Sequence, residues 1–305
     1  MAGTTETDDL RSRFRELVKA RNAVVLAHNY QRGEIQDAAD FVGDSLELSQ
    51  KAAKVEAEVI VFCGVHFMAE TAAILSPAKI VLIPDAHAGC PMADMISADE
   101  MIIWKKQYPG RPAVCYVNTS AAVKAECDIC CTSANALRVV ESLRDGEVLF
   151  APDKNLAAWV ARQTAKKIIA WDGYCYVHNN ILARDIREKR KTYPEAEVWA
   201  HPECRPEVID LANRVLSTGG MVRAAKETEA RDVVIATEAG MVYRLEKENP
   251  GKRFYPAHDL AFCANMRKIT LAKAVEALEN MAPRVVVEKG IADRARGAIE
   301  RMVAL

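Results

Sequence analysis

Short apolar runs alternate with amphipathic stretches along the whole chain. An amphipathic helix over Asp8–Arg21, with Leu10 and Phe14 on one face, comes first. Apolar runs of strand length then follow, beginning with Val24–Tyr30, and helical patterns such as Met68–Leu75 lie between them. Strands that alternate with helices in this way predict parallel βαβ units, in which both faces of the sheet are covered by helices.

The same succession of strands occurs three times. In the second strand of each succession, Ile60, Val148 and Val233 hold equivalent positions and are 88 and 85 residues apart. The third strands start near Ile80, Ile168 and Phe254, which are 88 and 86 residues apart. Because three repeats of this length are too few and too long for a solenoid, they predict three copies of a βαβαβ unit. The expected fold is α/β: three homologous αβα domains with small parallel sheets, arranged with pseudo-three-fold symmetry around a common centre.

Turn signals divide the repeats. Pro109-Gly110 and Tyr193-Pro194 fall between them, so the predicted domains are 1–109 with the N-terminal helix, 110–193 and 194–281. Residues 282–305 form a tail with a short apolar run and a final helix, and the sequence does not indicate which domain the tail packs on.

Composition narrows the class of protein. The chain has 305 residues, is 27% charged and carries a formal net charge of -1, which favours neither a nucleic-acid nor a membrane partner. No apolar run reaches the length of roughly 18 residues that a membrane helix needs. The polar, acidic start is unlike a signal or transit peptide, so a cytoplasmic location is expected. Nine cysteines in a reducing compartment then predict thiols or metal ligands rather than disulfides.

One cysteine follows the third strand of each repeat. Cys90, Cys175 and Cys263 are 85 and 88 residues apart, which is the period of the repeat itself. If the units surround a common axis, three thiolates meet there without a fourth. That set indicates an iron–sulfur cluster in which one iron lacks a protein ligand and is free to act as a Lewis acid. The alternative is three half-buried loop thiols with no metal.

The remaining cysteines have a different pattern. Cys127-Asp-Ile-Cys130-Cys131 has the spacing of a redox pair or half a zinc site, but no second half follows, so we interpret it as structural. Cys63 and Cys115 fall within strands and are expected in the core. Cys204 lies at a strand end, where lining the site is the alternative to a structural role.

Polar side chains follow the first strand of each repeat. They supply imidazole, phenol, amide and carboxylate groups, which suit acid–base chemistry and carboxylate binding: His28, Tyr30, Tyr116, Asn118, His201 and Glu203. Hydroxyls near predicted helix starts, at Ser45, Ser133 and Thr218, suit an anion. For any one of these residues a structural hydrogen bond is the competing interpretation. No phosphate-loop or dinucleotide motif is present, so no nucleotide is predicted.

The motifs taken together resemble the quinolinate synthase family. They occur in register over nearly the whole chain: His28–Gln31, Gly43–Ser45, Gly89–Ala93, Tyr116–Ala121, Cys131–Ala136, Gly173–His178, His201–Cys204, Ser217–Met221 and Cys263–Met266. The resemblance implies three homologous α/β domains around a central site. It also implies a [4Fe–4S] cluster on Cys90, Cys175 and Cys263, and a transferase-type condensation of iminoaspartate with dihydroxyacetone phosphate to quinolinate, with loss of phosphate and two waters, in NAD biosynthesis.

The resemblance also implies roles for individual residues. By the resemblance, the residues that transfer protons are Tyr30, His28, His201 and Glu203. The residues that bind substrate carboxylates or phosphate are Ser45, Tyr116, Asn118, Ser133, His178 and Thr218. It further implies an aspartate-oxidising enzyme as the source of iminoaspartate, and a monomer or homodimer.

Two positions depart from the pattern of the family. Some members have two further cysteines around the third ligand, but here Cys263 stands alone, so no thiol switch is expected there. Arg267 stands where a lysine often occurs, and we assign it no catalytic role because the two side chains differ in geometry. Two alternatives stay open at this point: an iron or redox sensor that uses the same cluster, and a zinc hydrolase built on Cys127 and Cys130.

Overall fold

The computed structural model describes residues 6–305, so the first five residues of the acidic N-terminal segment lie outside the described range. Helix α1 spans Glu6–Ala20, close to the predicted Asp8–Arg21. Phe14 is buried on its inner face, as the amphipathic pattern requires.

The first unit is a four-stranded parallel sheet with helices between its strands. The order across the sheet is β2-β1-β3-β4. In chain order its elements are β1 (Ala23–His28), α2 (Gly33–Ala38), β2 (Phe41–Gly43), α3 (Ser45–Ala52), β3 (Val59–Cys63), α4 (His66–Leu75) and β4 (Ile80–Leu82). Every residue of β3 is buried, which shows that both faces of the sheet are covered.

The second unit repeats this order as β6-β5-β7-β8. Helix α5 (Ala98–Gln107) leads into this unit. Its elements are β5 (Ala113–Tyr116), α6 (Ala121–Lys124), β6 (Ile129–Cys131), α7 (Ala136–Ser142), β7 (Glu147–Ala151), α8 (Lys154–Ala161) and β8 (Lys167–Ala170).

The third unit has the order β10-β9-β11-β12. Helices α9 (Tyr176–Asn179) and α10 (Ala183–Thr192) lead into this unit. Its elements are β9 (Glu197–Ala200), α11 (Pro206–Ile209), β10 (Arg214–Val215), α12 (Thr218–Glu227), β11 (Asp232–Ala236), α13 (Met241–Glu248) and β12 (Arg253–Pro256).

Three sheets with one shared order confirm the α/β fold and the repeat, but the unit has one more strand than predicted. The extra strand is an edge strand of two or three residues: β2, β6 or β10. It is too short to give an apolar run, and β6 was interpreted only as part of the Cys127–Cys131 motif. In each sheet the first and third strands of the unit are neighbours, and the second and fourth strands lie on opposite sides of this pair. The place between the first and third strands is a topological switch point. α/β proteins bind ligands there, outside the carboxyl ends of the strands.

Short 3₁₀ turns follow two of the outer strands. After β4, the turn Ala93–Met95 comes before α5 begins. A second 3₁₀ turn, Met266–Lys268, holds the equivalent place after β12.

The C-terminal residues return to the first two units. Helix α14 (Leu271–Asn280) packs against α1 and β3. The N–H of Val285 then donates to the carbonyl of Val81 over 2.8 Å, which places the short apolar run beside β4. Helix α15 (Lys289–Ala304) packs against α3 and α4 and also against α6 and β6. The tail therefore contacts both the first and the second unit.

Across residues 6–305, no helix combines the length and the apolar character needed to cross a membrane.

Candidate active site

The carboxyl ends of strands from all three sheets surround one cavity of about 70 Å³, several times the volume of roughly 10–15 Å³ that a single water needs. All thirteen residues predicted for the site line it: His28, Tyr30, Ser45, Cys90, Tyr116, Asn118, Ser133, Cys175, His178, His201, Glu203, Thr218 and Cys263. The structure therefore gathers in one place side chains that are far apart in sequence.

The three strand-end cysteines are free, half-buried thiols. Burial raises the pKa of Cys90 to about 12 and also raises the pKa values of Cys175 and Cys263 above the usual range. The charges of Cys90 and Cys263 also raise the pKa of Cys175, and the charge of Cys263 raises the pKa of Cys90, as expected for three sulfurs of residues that line one cavity. Without a cation these thiols are protonated at neutral pH.

The three sulfurs have similar backbone surroundings. Each accepts N–H groups from the short helical turn that follows it, and each such bond favours the thiolate. The donors are Met92 and Ala93 for Cys90, His178 for Cys175, and Asn265 and Met266 for Cys263. Hydrogen bonds to the sulfurs are one of the means by which proteins tune iron–sulfur clusters. The donor set therefore fits a thiolate-bound metal group.

A second arrangement of metal-binding atoms overlaps the first. Among the described residues, only Cys175, His178 and Glu203 form a group of three whose ligand atoms lie within 4.8 Å of one another. His178 Nδ1 is 2.9 Å from Glu203 Oε2, so these two groups form a close pair. The three cysteines do not converge so tightly, which suits a cluster with one thiolate on each of several irons better than a single ion. In either arrangement the cavity has donors for a metal cofactor.

Glu203 is the buried carboxylate at the middle of the site. Burial would raise its pKa, but the imidazoles of His178 and His201 beside it and a hydrogen bond from Tyr116 outweigh burial and lower the pKa to about 2. Tyr116 Oη donates a short hydrogen bond to Glu203 Oε1, while His178 faces the other oxygen. Glu203 is therefore ionised at neutral pH, and its two oxygens hold the side chains of Tyr116 and His178.

Tyr30 belongs to the same network. Its hydroxyl lies 2.6 Å from Thr237 Oγ1 and 3.3 Å from His178 Nε2. His178 Nε2 in turn lies 2.7 Å from Thr237 Oγ1. Burial and the nearby Glu203 charge raise the pKa of Tyr30 well above its usual value, so the phenol is protonated.

His28 and His201 are neutral imidazoles, because burial lowers the pKa of each to about 3. The N–H of Tyr30 donates to His28 Nδ1, and the N–H of Glu203 donates to His201 Nδ1. In both rings the proton is therefore assigned to Nε2. His201 Nε2 donates to Ser133 Oγ over 3.1 Å, so its donor points along a wall of the cavity.

Hydroxyl and amide groups form the rest of the polar wall. Ser45 begins α3 and Thr218 begins α12, so both lie at helix N-termini. Asn29, which the first strand also delivers, donates to Thr218 Oγ1 over 2.8 Å. The buried Oδ1 of Asn118 has no hydrogen-bond partner and is free to accept from a ligand. No lysine or arginine of residues 6–305 lines the cavity.

Sequence reasoning missed three acidic or hydroxyl residues here. Thr237 and Glu238 follow β11, and Asp44 caps α3. Glu238 lines the cavity, accepts the N–H of Cys263 over 3.0 Å, and has a pKa raised to about 7 by burial. The signal was present, since polar residues after a buried strand had already selected His28 and Glu203. It was applied to the first strand of each predicted repeat but not to the second, which here is β11.

The other cysteines lie outside the cavity. Cys63 and Cys115 are core residues of β3 and β5, as predicted. The possibility that Cys204 lines the site is wrong. Its thiol is buried outside the cavity and donates to the carbonyl of Ala236 over 3.2 Å. Cys127 and Cys130 belong to no group of three tight metal ligands among the described residues, which removes the basis for a zinc hydrolase.

Comparison with known proteins gives one consistent result. The profile of the family described as "NadA: Quinolinate synthetase A protein" matches residues 12–304. The chain is 61% identical over 288 residues to a quinolinate synthase of Dehalococcoides mccartyi, covering 94% of this chain and 95% of that protein. It is 52% identical over 300 residues to the quinolinate synthase of Methanoregula boonei, covering 98% and 99% of the two chains. The site and these relatives together show that the chain is an enzyme and belongs to the quinolinate synthase family.

Proposed function

We propose that the enzyme condenses iminoaspartate with dihydroxyacetone phosphate to quinolinate, with a [4Fe–4S] cluster held by Cys90, Cys175 and Cys263. The observation that carries this proposal is the set of three strand-end thiols, each supported by backbone N–H groups, on the wall of a cavity that also holds Tyr30 and Glu203. The relatives in this family bear the name of that activity.

The proposed reaction balances without an oxidant. Iminoaspartate supplies four carbons and the nitrogen, and dihydroxyacetone phosphate supplies three carbons. The sum of their atoms equals quinolinate, one phosphate and two waters. The enzyme therefore has to move protons and expel oxygen leaving groups, and it needs no electron transfer. Such chemistry calls for acids, bases and a group that stabilises a departing oxygen.

The cavity wall suits a substrate with two carboxylates and a phosphate through dipoles rather than side-chain cations. Ser45 and Thr218 offer hydroxyls at helix N-termini, where the helix dipole favours negative charge. Neutral His28 and His201 offer Nε2–H donors without introducing positive charge. In a buried cavity such preorganised donors are stronger than they would be in water.

Proton transfer falls to the network around Glu203. Tyr30 lines the cavity, and its Oη is in contact with Thr237 and with His178, whose other nitrogen lies beside Glu203. Tyr116 Oη holds a proton that it donates to Glu203 Oε1. We assign Tyr30, His28, His201 and Glu203 to proton transfer, and Ser45, Tyr116, Asn118, Ser133, His178 and Thr218 to holding the substrate.

The three cysteines would hold the cluster through their thiolates. When bound, a four-iron cluster with three protein ligands supplies a Lewis-acidic iron to an oxygen of the substrate. Because burial raises the pKa values of all three thiols, loading the metal has to release their protons.

The proposal includes the cellular setting. Iminoaspartate is a reactive imine, so we expect an aspartate-oxidising enzyme to supply it and the closed cavity to exclude water. We place the enzyme in the cytoplasm, in NAD biosynthesis, as a monomer or homodimer. We keep domain boundaries at 109/110, 193/194 and 281/282, and neither a nucleic acid nor a membrane is a proposed partner.

Product formation tests the proposal. Protein purified without oxygen is supplied with dihydroxyacetone phosphate and freshly generated iminoaspartate, and quinolinate is measured by chromatography. We expect quinolinate and phosphate in equal amounts from the wild type and from Cys63→Ser, and none above background from Cys90→Ser. If the wild type loaded with iron and sulfide makes no quinolinate, or if Cys90→Ser matches it, the proposal fails.

A further inference from the structure

Arg244 is a cation held one layer behind the wall of the cavity. It lies in α13 of the third unit, and 18% of its side chain is exposed. Its Nη1 donates a short hydrogen bond to Oδ1 of Asn29, which follows β1, and also donates to the carbonyl of Val42 in β2 over 2.9 Å. Neither Arg244 nor Asn29 lines the cavity. A guanidinium from the third unit thus holds two segments of the first unit from behind.

The charges around Arg244 add up to a positive set. Arg244 Nε donates to Glu248 Oε1 over 2.7 Å, and Lys226 Nζ lies 3.1 Å from Glu248 Oε2, so two cations share one carboxylate. Burial lowers the pKa of His28 to about 3, and the charge of Arg244 contributes to that lowering, as expected for a cation close to the cavity wall. This side of the cavity therefore favours an anion.

The guanidinium fixes the orientation of the Asn29 amide. Because Nη1 can only donate, the atom that faces it is the amide oxygen, and the Nδ2 group is assigned to the other side. Asn29 Nδ2 then donates to Thr218 Oγ1 over 2.8 Å. The Asn29 side chain is completely buried, so solvent does not compete for either hydrogen bond.

This orientation leaves the proton of the Thr218 hydroxyl free for a ligand. Thr218 lines the cavity at the start of α12, and within residues 6–305 Asn29 is the one hydrogen-bond partner of its Oγ1. Because Oγ1 accepts from Asn29, its own proton has no acceptor among these residues and is available to an anionic oxygen in the cavity. A reversed amide would accept that proton and take the donor away from the cavity.

We propose that Arg244 is a positioning residue for substrate binding, which fixes the Asn29 amide so that the Thr218 hydroxyl donates to an anionic oxygen of the substrate. The inference rests on the proposed function, because it deepens the role given there to Thr218. Arg244 acts through Asn29 and Thr218 rather than by contact with the substrate. The anionic oxygen belongs to a carboxylate or to the phosphate, and separate ligands distinguish these two sources.

Two substitutions break this chain at different links. Arg244→Gln removes the cation, and Asn29→Leu removes the amide but keeps a side chain of similar size, so either one tests the inference if the other does not fold. Arg223→Gln is the matched control, because it removes an exposed cation of α12 that pairs with Glu47 and does not contact Asn29. All variants are reconstituted with iron and sulfide, and each should keep the iron content of the wild type.

Binding of quinolinate and of dihydroxyacetone phosphate is measured separately by calorimetry, alongside KM and kcat. We expect at least one ligand to bind about tenfold more weakly to Arg244→Gln and to Asn29→Leu, as for the loss of a hydrogen bond to a charged group. The KM of the corresponding substrate rises by a similar factor, and kcat changes less than about threefold. Weaker binding of quinolinate assigns the Thr218 donor to a carboxylate, and weaker binding of dihydroxyacetone phosphate assigns it to the phosphate.

A double-mutant cycle shows whether Arg244 acts through Thr218. If it does, Arg244→Gln/Thr218→Val binds the affected ligand as weakly as Thr218→Val alone, because no hydroxyl is left to orient. Multiplicative losses of affinity in the cycle, wild-type affinities in Arg244→Gln or Asn29→Leu, or equal losses in Arg244→Gln and Arg223→Gln would each overturn the inference. A wild type that makes no quinolinate would instead overturn the proposed function.

Discussion

A Cβ atom added to Gly219 would lie 2.5 Å from Asp44 Oδ2, so α12 begins in direct contact with the cap of α3. Asp44 accepts the N–H groups of Leu46 and Glu47, and Ser217 Oγ donates to the same carboxylate over 3.3 Å. The two helix starts that carry Ser45 and Thr218 are therefore held together by a contact that leaves no room for a side chain.

Gly219→Ala is expected to push α12 away from α3. A contact of 2.5 Å forces a shift, and overpacking of this kind costs about 1–3 kcal/mol. We expect a lower midpoint in urea unfolding and a higher KM for the phosphate-bearing substrate. Gly220→Ala is the matched control, since its added Cβ would meet Leu216 and Ser217 at an ordinary 3.4 Å. Equal stability and KM in the two variants would show that the close contact is unimportant.

Glu203→Gln is expected to lower kcat by about a hundredfold or more, since the amide cannot hold His178 and Tyr116 as an ionised carboxylate does. Glu207→Gln, in an exposed ion pair with Arg205 nearby, is the control and should leave kcat unchanged. Steady-state kinetics on anaerobically prepared protein decides the matter. Comparable kcat in the two variants would remove Glu203 from the proposed chemistry.

The buried histidines predict how stability changes with pH. His201 has its pKa lowered to about 3 by burial, whereas an unfolded histidine titrates near about 6.5. Between these values the unfolded chain binds one more proton at this position, so stability falls as pH falls below about 6.5, by about 1.4 kcal/mol per pH unit. Urea unfolding of His201→Gln between pH 4.5 and 6.5 should show a slope smaller by that amount. Parallel slopes for the two proteins would contradict the assignment of a neutral ring.

The buried side chain of Lys124 predicts that substitution of one core cysteine, Cys115, strongly lowers the stability of the fold. Lys124 is completely buried, and no carboxylate of residues 6–305 lies within ion-pair distance of it. Burial opposes ionisation of Cys115, but the thiols of Cys127 and Cys130 and the Lys124 charge outweigh burial and hold the Cys115 pKa well below its usual value. We therefore predict that Cys115 is ionised and is the counter-charge of Lys124.

Cys115→Ser removes that counter-charge, because a hydroxyl does not ionise. Leaving one member of a buried pair alone costs about 3 kcal/mol or more. Cys63→Ser is the control: Cys63 is equally buried, but burial raises its pKa to about 12, so it is uncharged. Urea unfolding should show a clearly larger loss for Cys115→Ser. Equal losses would mean that Cys115 is a neutral thiol.

The sequence was sufficient for the central strands and most of the site. Runs such as Val59–Cys63 are apolar throughout because both faces of a parallel sheet are covered, so they are visible without a structure. The edge strand β10 spans only two residues and leaves no such run. Polar residues after β1 and β9 were found by the same reasoning, since the carboxyl ends of parallel strands meet at one edge.

What the sequence could not supply depends on contacts between distant segments. The contacts of Thr237 with Tyr30 and His178 follow only from the structure, because a polar pair after a strand does not indicate which side chains it meets. The position of α15 is a similar case. Its apolar face is evident from the sequence, but an amphipathic helix does not specify which surface it covers, and here it covers parts of two units.

The central claim is that Cys90, Cys175 and Cys263 hold an iron–sulfur cluster, and metal analysis tests it most directly. Iron and acid-labile sulfide are measured per chain after anaerobic purification and reconstitution. We predict about four of each in the wild type and in Cys127→Ala, and a large loss in each single Ala variant of the three ligands. Fewer than about three irons per wild-type chain, or full iron content in Cys90→Ala, would contradict the claim.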